Sequence, residues 1–380
     1  MALSSLPGRR PLLPVLMLLT ALVSLLGGCA RDRPQPAKLE AVSPQIAGRQ
    51  VWQSRLPGVG FPLALTVRDG KVFAAGDDGT VLALDVATGR ALWRAQAGAP
   101  LSAGVGSDGR HAAVVTRGNE LVVFDEGRST WRTRLGARVL TAPLVAGERV
   151  FVLGVDRSVQ AFDVLDGRRL WTLQRPGDPL TLGQAGVLLP FGDTLLAGQG
   201  PRLAALDPLR GSVRWEVAVA APRGTNEVER LADLVGPAVR QGSSVCVRAF
   251  QAAVACVDAT RGALQWSRNV GGAQAVAADE SVLVAADGSD RLSAWRQGTG
   301  QLVWTSEKFL FRQLSGLTAA GRAIVFGDLD GQLHFLDRQD GRPLLRLATD
   351  GSPIVTTPVL AGTTLLVATR SGGVFAFRPE

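Results

Sequence analysis

The stretch Val81-Leu82-Ala83-Leu84-Asp85-Val86-Ala87-Thr88-Gly89-Arg90-Ala91-Leu92-Trp93 decides the fold. An apolar run ends in Asp85, Gly89 follows four residues later, and Trp93 four after that. A short acidic side chain accepts from backbone amides ahead of it, and glycine takes positive φ, so the segment reads as strand, turn, strand. The same plan runs through Val159 to Asp163, Arg202 to Asp207, Val254 to Asp258 and Leu333 to Asp337. Glycine precedes tryptophan by four at Gly48/Trp52, Gly89/Trp93, Gly127/Trp131, Gly167/Trp171, Gly211/Trp215, Gly262/Trp266 and Gly300/Trp304. Gly341/Leu345 keeps the spacing with leucine. Successive motif positions lie 41, 38, 40, 44, 51, 38 and 41 residues apart.

Working outward, a second apolar run precedes each of these strands, such as Val72-Phe73-Ala74-Ala75 or Val150-Phe151-Val152-Leu153, and joins it through a short Gly/Asp turn. Pairs of this kind signal hairpins. No stretch longer than about ten residues beyond the N-terminal segment carries a helical period. A period near 40 matches one four-stranded propeller blade. The pattern predicts an all-β chain: an eight-bladed β-propeller of four-stranded antiparallel blades over 48–380. Trp52, Trp93, Trp131, Trp171, Trp215, Trp266 and Trp304 are expected to wedge between blades, because a large flat ring fills such a gap. The first motif lacks three preceding strands and the last unit lacks a following motif. The N-terminal strand is therefore expected to complete the final blade, which removes exposed sheet edges.

The chain has 380 residues, 46% hydrophobic and 19% charged, with 45 glycines and no tyrosine. That balance excludes a disordered chain and supplies a large core. The net charge is +8, nearly all from arginine, since only Lys38, Lys71 and Lys308 are lysine. The arginines alternate with acids rather than forming the stripe that nucleic-acid binders use, so no nucleic-acid partner is expected. Three cysteines and two histidines leave little for a Cys/His metal centre. His111 follows a Ser107-Asp108-Gly109 turn and is expected to be solvated. His334 lies in an alternating strand, packed or half exposed. Neither has an evident carboxylate partner, and no catalytic residue or metal site is assigned.

Arg9-Arg10 followed by the apolar run Leu12 to Leu26 reads as a secretory signal, too short to span a bilayer. Its end, Leu26-Gly27-Gly28-Cys29, resembles the lipobox of bacterial lipoproteins. The resemblance implies cleavage of 1–28, lipidation of Cys29 and, with Ala30 in place of aspartate, sorting to the periplasmic face of the outer membrane. Residues 29–47, bearing Pro34, Pro36 and Pro44, read as a flexible tether. Fully extended, a tether of this length reaches about 60 Å.

The Asp-x-x-x-Gly-x-x-x-Trp repeat resembles that of pyrroloquinoline-quinone dehydrogenase-like propellers and covers nearly all of the chain after Cys29. Within that group, a quinoprotein dehydrogenase needs a Ca²⁺ cluster and aromatic stacking on its quinone. Most acids here sit in repeating turns, and no cofactor is expected. A general periplasmic binding propeller is the other alternative. The BamB family fits better. The surplus length falls after Trp171 and after Trp215, in two neighbouring blade-to-blade connections that share one face. The first reads Asp178-Pro179-Leu180-Thr181-Leu182-Gly183, the second Gly224 to Val235. These stretches are similar to the BamB loops implicated in contacting a POTRA domain of the barrel protein BamA. Leu180, Leu182, Glu229, Arg230, Leu231 and Asp233 match, and Glu227 stands beside them. Gly183 replaces an arginine and Val235 an aspartate, which puts the polar part of the contact in doubt. The resemblance implies a non-enzymatic scaffold of the barrel-assembly complex, monomeric by itself. Its partners would be BamA, other complex members and nascent outer-membrane proteins.

Cys246 and Cys256 fall in the two inner strands of the fifth blade. An oxidising compartment permits a cross-strand disulfide. A four-residue loop without a bulge puts the two on opposite faces, and one bulged residue brings them together.

Overall fold

The computed structural model describes Met1 and residues 34–175, 180–222 and 224–380. The signal segment 1–28 and Cys29 lie outside the described residues apart from Met1. Among the described residues there are strands and turns and no helix, so no helix is long and apolar enough to cross a membrane. The chain divides into two compact units, Met1–Pro36 and Ala37–Glu380. All the strands belong to the second.

Those strands form eight antiparallel four-stranded sheets, an eight-bladed β-propeller. Blades 1 to 7 follow chain order over 66–96, 101–134, 144–173, 188–218, 234–268, 277–306 and 318–348. Blade 8 takes its three inner strands from Val359–Ala361, Thr364–Ala368 and Gly373–Arg378, and its outer strand from Arg49–Arg55. The N-terminal strand thus closes the ring in the way its unmatched ends imply, running from Arg49↔Arg378 to Arg55↔Gly373.

Burial explains the blade. The second and third strands, such as Lys71–Ala75 and Thr80–Asp85, are buried on both faces between neighbouring blades. Their sequences are therefore almost continuously apolar, and each buried Val or Leu contributes about 1.5–3 kcal/mol. The fourth strand faces solvent and keeps alternation, as in Ala91–Gln96. The first strands, short in every blade but the second and fifth, lie beside one another around a central cavity of about 670 Å³, lined by Leu63, Leu188, Val235, Val276, Leu317 and Val355 among others. Alternating strand direction gives two faces. One carries the hairpins between second and third strands together with the blade-to-blade connections (the connection face). The other carries the remaining turns (the turn face).

The motif's glycine and tryptophan meet across blades rather than within one. Trp52 of blade 8 donates its indole N–H to the Val86 carbonyl in blade 1 at 2.9 Å. Trp131, Trp171, Trp266 and Trp304 donate in the same manner to Val164, Pro208, Gln297 and Arg338 of the following blade. Each ring lies flat on the next blade's motif glycine. A Cβ on Gly89 would stand 2.5 Å from Trp52, one on Gly211 2.5 Å from Trp171, and one on Gly127 3.1 Å from Trp93. Gly167, Gly262, Gly300 and Gly341 face Trp131, Trp215, Trp266 and Trp304 likewise. Leu345 continues the series to blade 8, lying 3.2 Å from where a Cβ on Gly48 would stand. These seven tryptophan-facing glycines have φ between 65° and 85°, so a side chain there meets both strain and a ring.

Two expectations change. The tether expected over 29–47 is docked from Ala37 onward. The Ala37 amide donates to the Leu310 carbonyl at 2.9 Å and the Gln45 amide to the Leu344 carbonyl at 2.8 Å. Leu39 and Ile46 pack on the cores of blades 6–7 and 7–8. The fifth-blade hairpin closes through three residues, Phe250-Gln251-Ala252, with Gln251 at φ 49°. An odd loop puts Cys246 directly opposite Cys256, and the two form a buried disulfide with Cα atoms 4.1 Å apart.

Candidate functional site

The two long connections run from Leu173 to Leu188 and from Ala218 to Leu234, adjacent on the connection face. Residues 176–179, with Asp178 and Pro179, lie outside the described residues. What holds the connections together is Asp233. One carboxylate oxygen accepts from the Arg157 guanidinium at 3.0 and 3.1 Å. The other accepts from the Leu182 backbone amide at 3.3 Å. Arg157 occupies a tight hairpin turn of blade 3 at φ 64°, and its carbonyl accepts from the Gln199 side chain of blade 4 at 3.0 Å. Backbone pairing between Gly186 and Val235, with the Gly236 amide on Ala185, extends the seam. Both charged side chains are mostly buried, and hydrogen bonds to charged groups contribute about 1.5–3 kcal/mol in such places.

The second connection folds into one helical turn. Asn226 accepts the Glu229 amide at 2.9 Å, and the Glu229 carboxylate accepts the Thr225 amide at 2.8 Å and its hydroxyl at 3.2 Å. This reciprocal arrangement resembles a capping box displaced by one residue. The Thr225 amide, chiefly, holds the Glu229 carboxyl below the usual range. The turn lifts Val228 into solvent at 72% exposure.

The residues singled out in the sequence therefore separate into two groups. Leu180, Leu182 and Leu231 are half-buried at the surface of the seam, and Glu227 and Arg230 are exposed on the turn. Glu229 and Asp233 are occupied inside the chain: the first closes its own loop and the second ties two loops to blade 3. Val235 is buried in the first strand of blade 5 and faces the central cavity, so it does not reach an outside partner. Gly183 is exposed, with nothing within 4 Å of an added Cβ. Sequence reasoning missed Arg157 and Val228. Arg157 lies 76 residues from Asp233, and only the fold pairs them. Val228 was legible as the single apolar residue between two glutamates.

His111 departs from expectation; His334 is packed, one of its two expected settings, and departs only in its partner. His111 is buried, not solvated, with Nδ1 3.0 Å from the Asp108 carboxylate. His334 is also buried and has a carboxylate partner, Nε2 lying 2.9 Å from Asp328. Arg346 can only donate and lies 3.4 Å from Nδ1, so the ring proton sits on Nε2 and His334 is neutral. Burial pushes its pKa down against the pull of Asp328. Burial opposes the Asp328 charge, but bonds from His334, the Gln332 amide and Arg312 outweigh it and hold that carboxyl below its ordinary value. Phe309 and Phe326 enclose the His334 ring at 4.8 and 5.3 Å, leaving no approach for a substrate. Among the described residues no three His, Cys, Asp or Glu side chains converge as a metal site.

The family described as "Outer membrane protein assembly factor BamB" matches residues 38–100, 77–306 and 297–380. A relative of that name from Bordetella pertussis is 35% identical over 371 residues, 95% of this chain and 96% of its own. The crystal structure of BamB from Moraxella catarrhalis superposes with a TM-score of 0.79 at 22% identity, over 87% of this chain and 99% of that one. A quinohemoprotein alcohol dehydrogenase from Comamonas testosteroni superposes with a TM-score of 0.68 at 15% identity, over 87% and 76%, and shares the fold alone. With its family matched along almost its whole length, the chain belongs to the BamB family of outer membrane protein assembly factors.

Proposed function

We propose that the seam between the two long connections docks on a POTRA domain of BamA, and that the propeller serves there as a rigid, non-enzymatic scaffold. It would be held by a lipid on Cys29 at the periplasmic face of the outer membrane, monomeric by itself, and would help orient unfolded barrel proteins during insertion. One observation carries this reading. Asp233 locks both connections to blade 3, so Leu180, Leu182, Val228 and Leu231 are presented as a preorganised apolar edge. Rigid apolar anchors supply affinity, and rim charges such as Glu227 and Arg230 supply orientation and encounter rate.

The test is a binding measurement with the BamA POTRA region. Changing Leu180, Leu182 and Val228 together to Asp is expected to weaken binding at least 100-fold, at roughly 1–2 kcal/mol for each anchor. Melting should be unchanged, since none of the three is fully buried. Gly183→Arg has open space and is expected to strengthen binding. Undiminished capture of BamA by the triple variant would overturn the proposal. Capture of some other periplasmic protein in its place would favour a general binding module.

A further inference from the structure

The N-terminal strap, residues 37–46, has a built seat on blade 7. It starts on the connection face, where the Ala37 amide and carbonyl are both taken, the first by the Leu310 carbonyl and the second by Arg312 at 2.9 Å. Arg312 is itself buried and fixed by Asp328 and Asp330. Glu40 then pairs with Lys308 at 2.7 Å, and Leu39 packs on the core shared by blades 6 and 7. The strap crosses the outside of blade 7 to the turn face. There the Gln45 amide meets Leu344, Gly48 meets Leu345, and the outer strand of blade 8 begins. The direction of crossing matters. The fixed chain begins on the face that also carries the two long connections.

Ala37 lies only eight chain steps beyond Cys29. Fully extended, they span at most about 28 Å, under half of the reach of an undocked tether. We propose that the seat on blade 7 orients the molecule at the membrane: it holds the connection-face rim between blades 6 and 7 next to the lipid surface and keeps the turn face away from it. This rests on the reading of Cys29 as the lipid-bearing residue. The occupant of the space beside this rim is the inner leaflet of the membrane itself, set there by chain length. The buried Arg312, satisfied by two carboxylates and the strap carbonyl, is what makes the seat specific.

The experiment uses the full-length, lipidated protein bound to phosphatidylcholine and phosphatidylglycerol vesicles that carry a headgroup nitroxide. A fluorophore is attached at Glu307→Cys on the rim by the strap, or at Gln339→Cys on the turn face of the same blade. Quenching several-fold stronger at position 307 than at 339 is expected. A second background, Leu39→Asp with Lys308→Glu, removes the surface part of the seat and leaves the buried Arg312 cluster alone. There the contrast should fall to near unity with the melting temperature retained, and exchange of the Ala37 amide in the soluble 30–380 domain should speed up at least tenfold. Equal quenching at the two positions on floated vesicles, or contrast that survives in the double variant, would overturn the orientation while leaving the lipid reading in place. Failure of the wild-type protein to float, with no lipid mass on Cys29, would defeat the lipid reading and the orientation with it.

Discussion

Gly211 sits at φ 73° with the Trp171 ring 2.5 Å from where its Cβ would be, whereas Gly242 has φ 60° and nothing within 4 Å. The pair separates backbone strain from the interblade wedge. Gly242→Ala is expected to lose about 1–2 kcal/mol in chemical denaturation, the left-handed penalty alone. Gly211→Ala is expected to lose that and a further 1–3 kcal/mol or so for overpacking. Equal losses would mean that the ring moves aside freely. The repeat was legible in the sequence because Asp, Gly and Trp recur at fixed spacing. That the Trp of one repeat lies on the Gly of the next was not, since spacing alone cannot tell a contact within a repeat from one between repeats. The His334 cluster also sets an acid limit. His334 has a lowered pKa, so the unfolded chain binds the proton more readily, and stability falls as pH drops below the ordinary histidine value of about 6.5. Asp328, also lowered, adds a second loss in the carboxylate range, near pH 4 and below. Denaturation midpoints measured between pH 7 and 5 should fall, by up to about 1.4 kcal/mol per pH unit for one proton. The His334→Gln variant should flatten that slope.

At the scale of elements, the two long connections behave as one unit through Asp233. Arg157→Ala leaves that carboxylate without its cation and is expected to remove about 1.5–3 kcal/mol locally. Hydrogen exchange at the Leu182 amide should then quicken by roughly 10- to 100-fold, with the blade-core amides unaffected. A uniform change across the propeller would show that Arg157 serves global stability. The two neighbouring long connections were readable from surplus length, because insertions gather where a fold tolerates them. The roles inside it were not. Asp233 and Glu229 look identical to exposed acids in the sequence, and only the arrangement of blade 3 and of the Thr225 turn shows that both are engaged. The disulfide was undecided for a similar reason. One residue of loop length sets which face a cysteine occupies, and the three-residue turn at Phe250-Gln251-Ala252 put Cys246 and Cys256 together.

For the whole molecule, the ring depends on its outermost N-terminal strand. Removing Arg49–Arg55 bares the edge of Gly373–Arg378 and takes the Trp52 wedge away from Val86. Such a chain is expected to associate or precipitate, and light scattering after size-exclusion chromatography checks this. A monomer with native melting would refute the role of closure. That closure was legible because the first and last repeats are complementary fragments. The docked strap was not, since prolines and weak patterning describe a linker equally well when a few anchors such as Leu39 and Ile46 hold it down. Closure also has a temporal consequence. The eighth sector needs residues 49–55 and 359–378 at once, and these are made at opposite ends of synthesis. A chain still being made, or one cut before Val359, carries a notch where a sector should be. Completion of synthesis and completion of the circle therefore coincide.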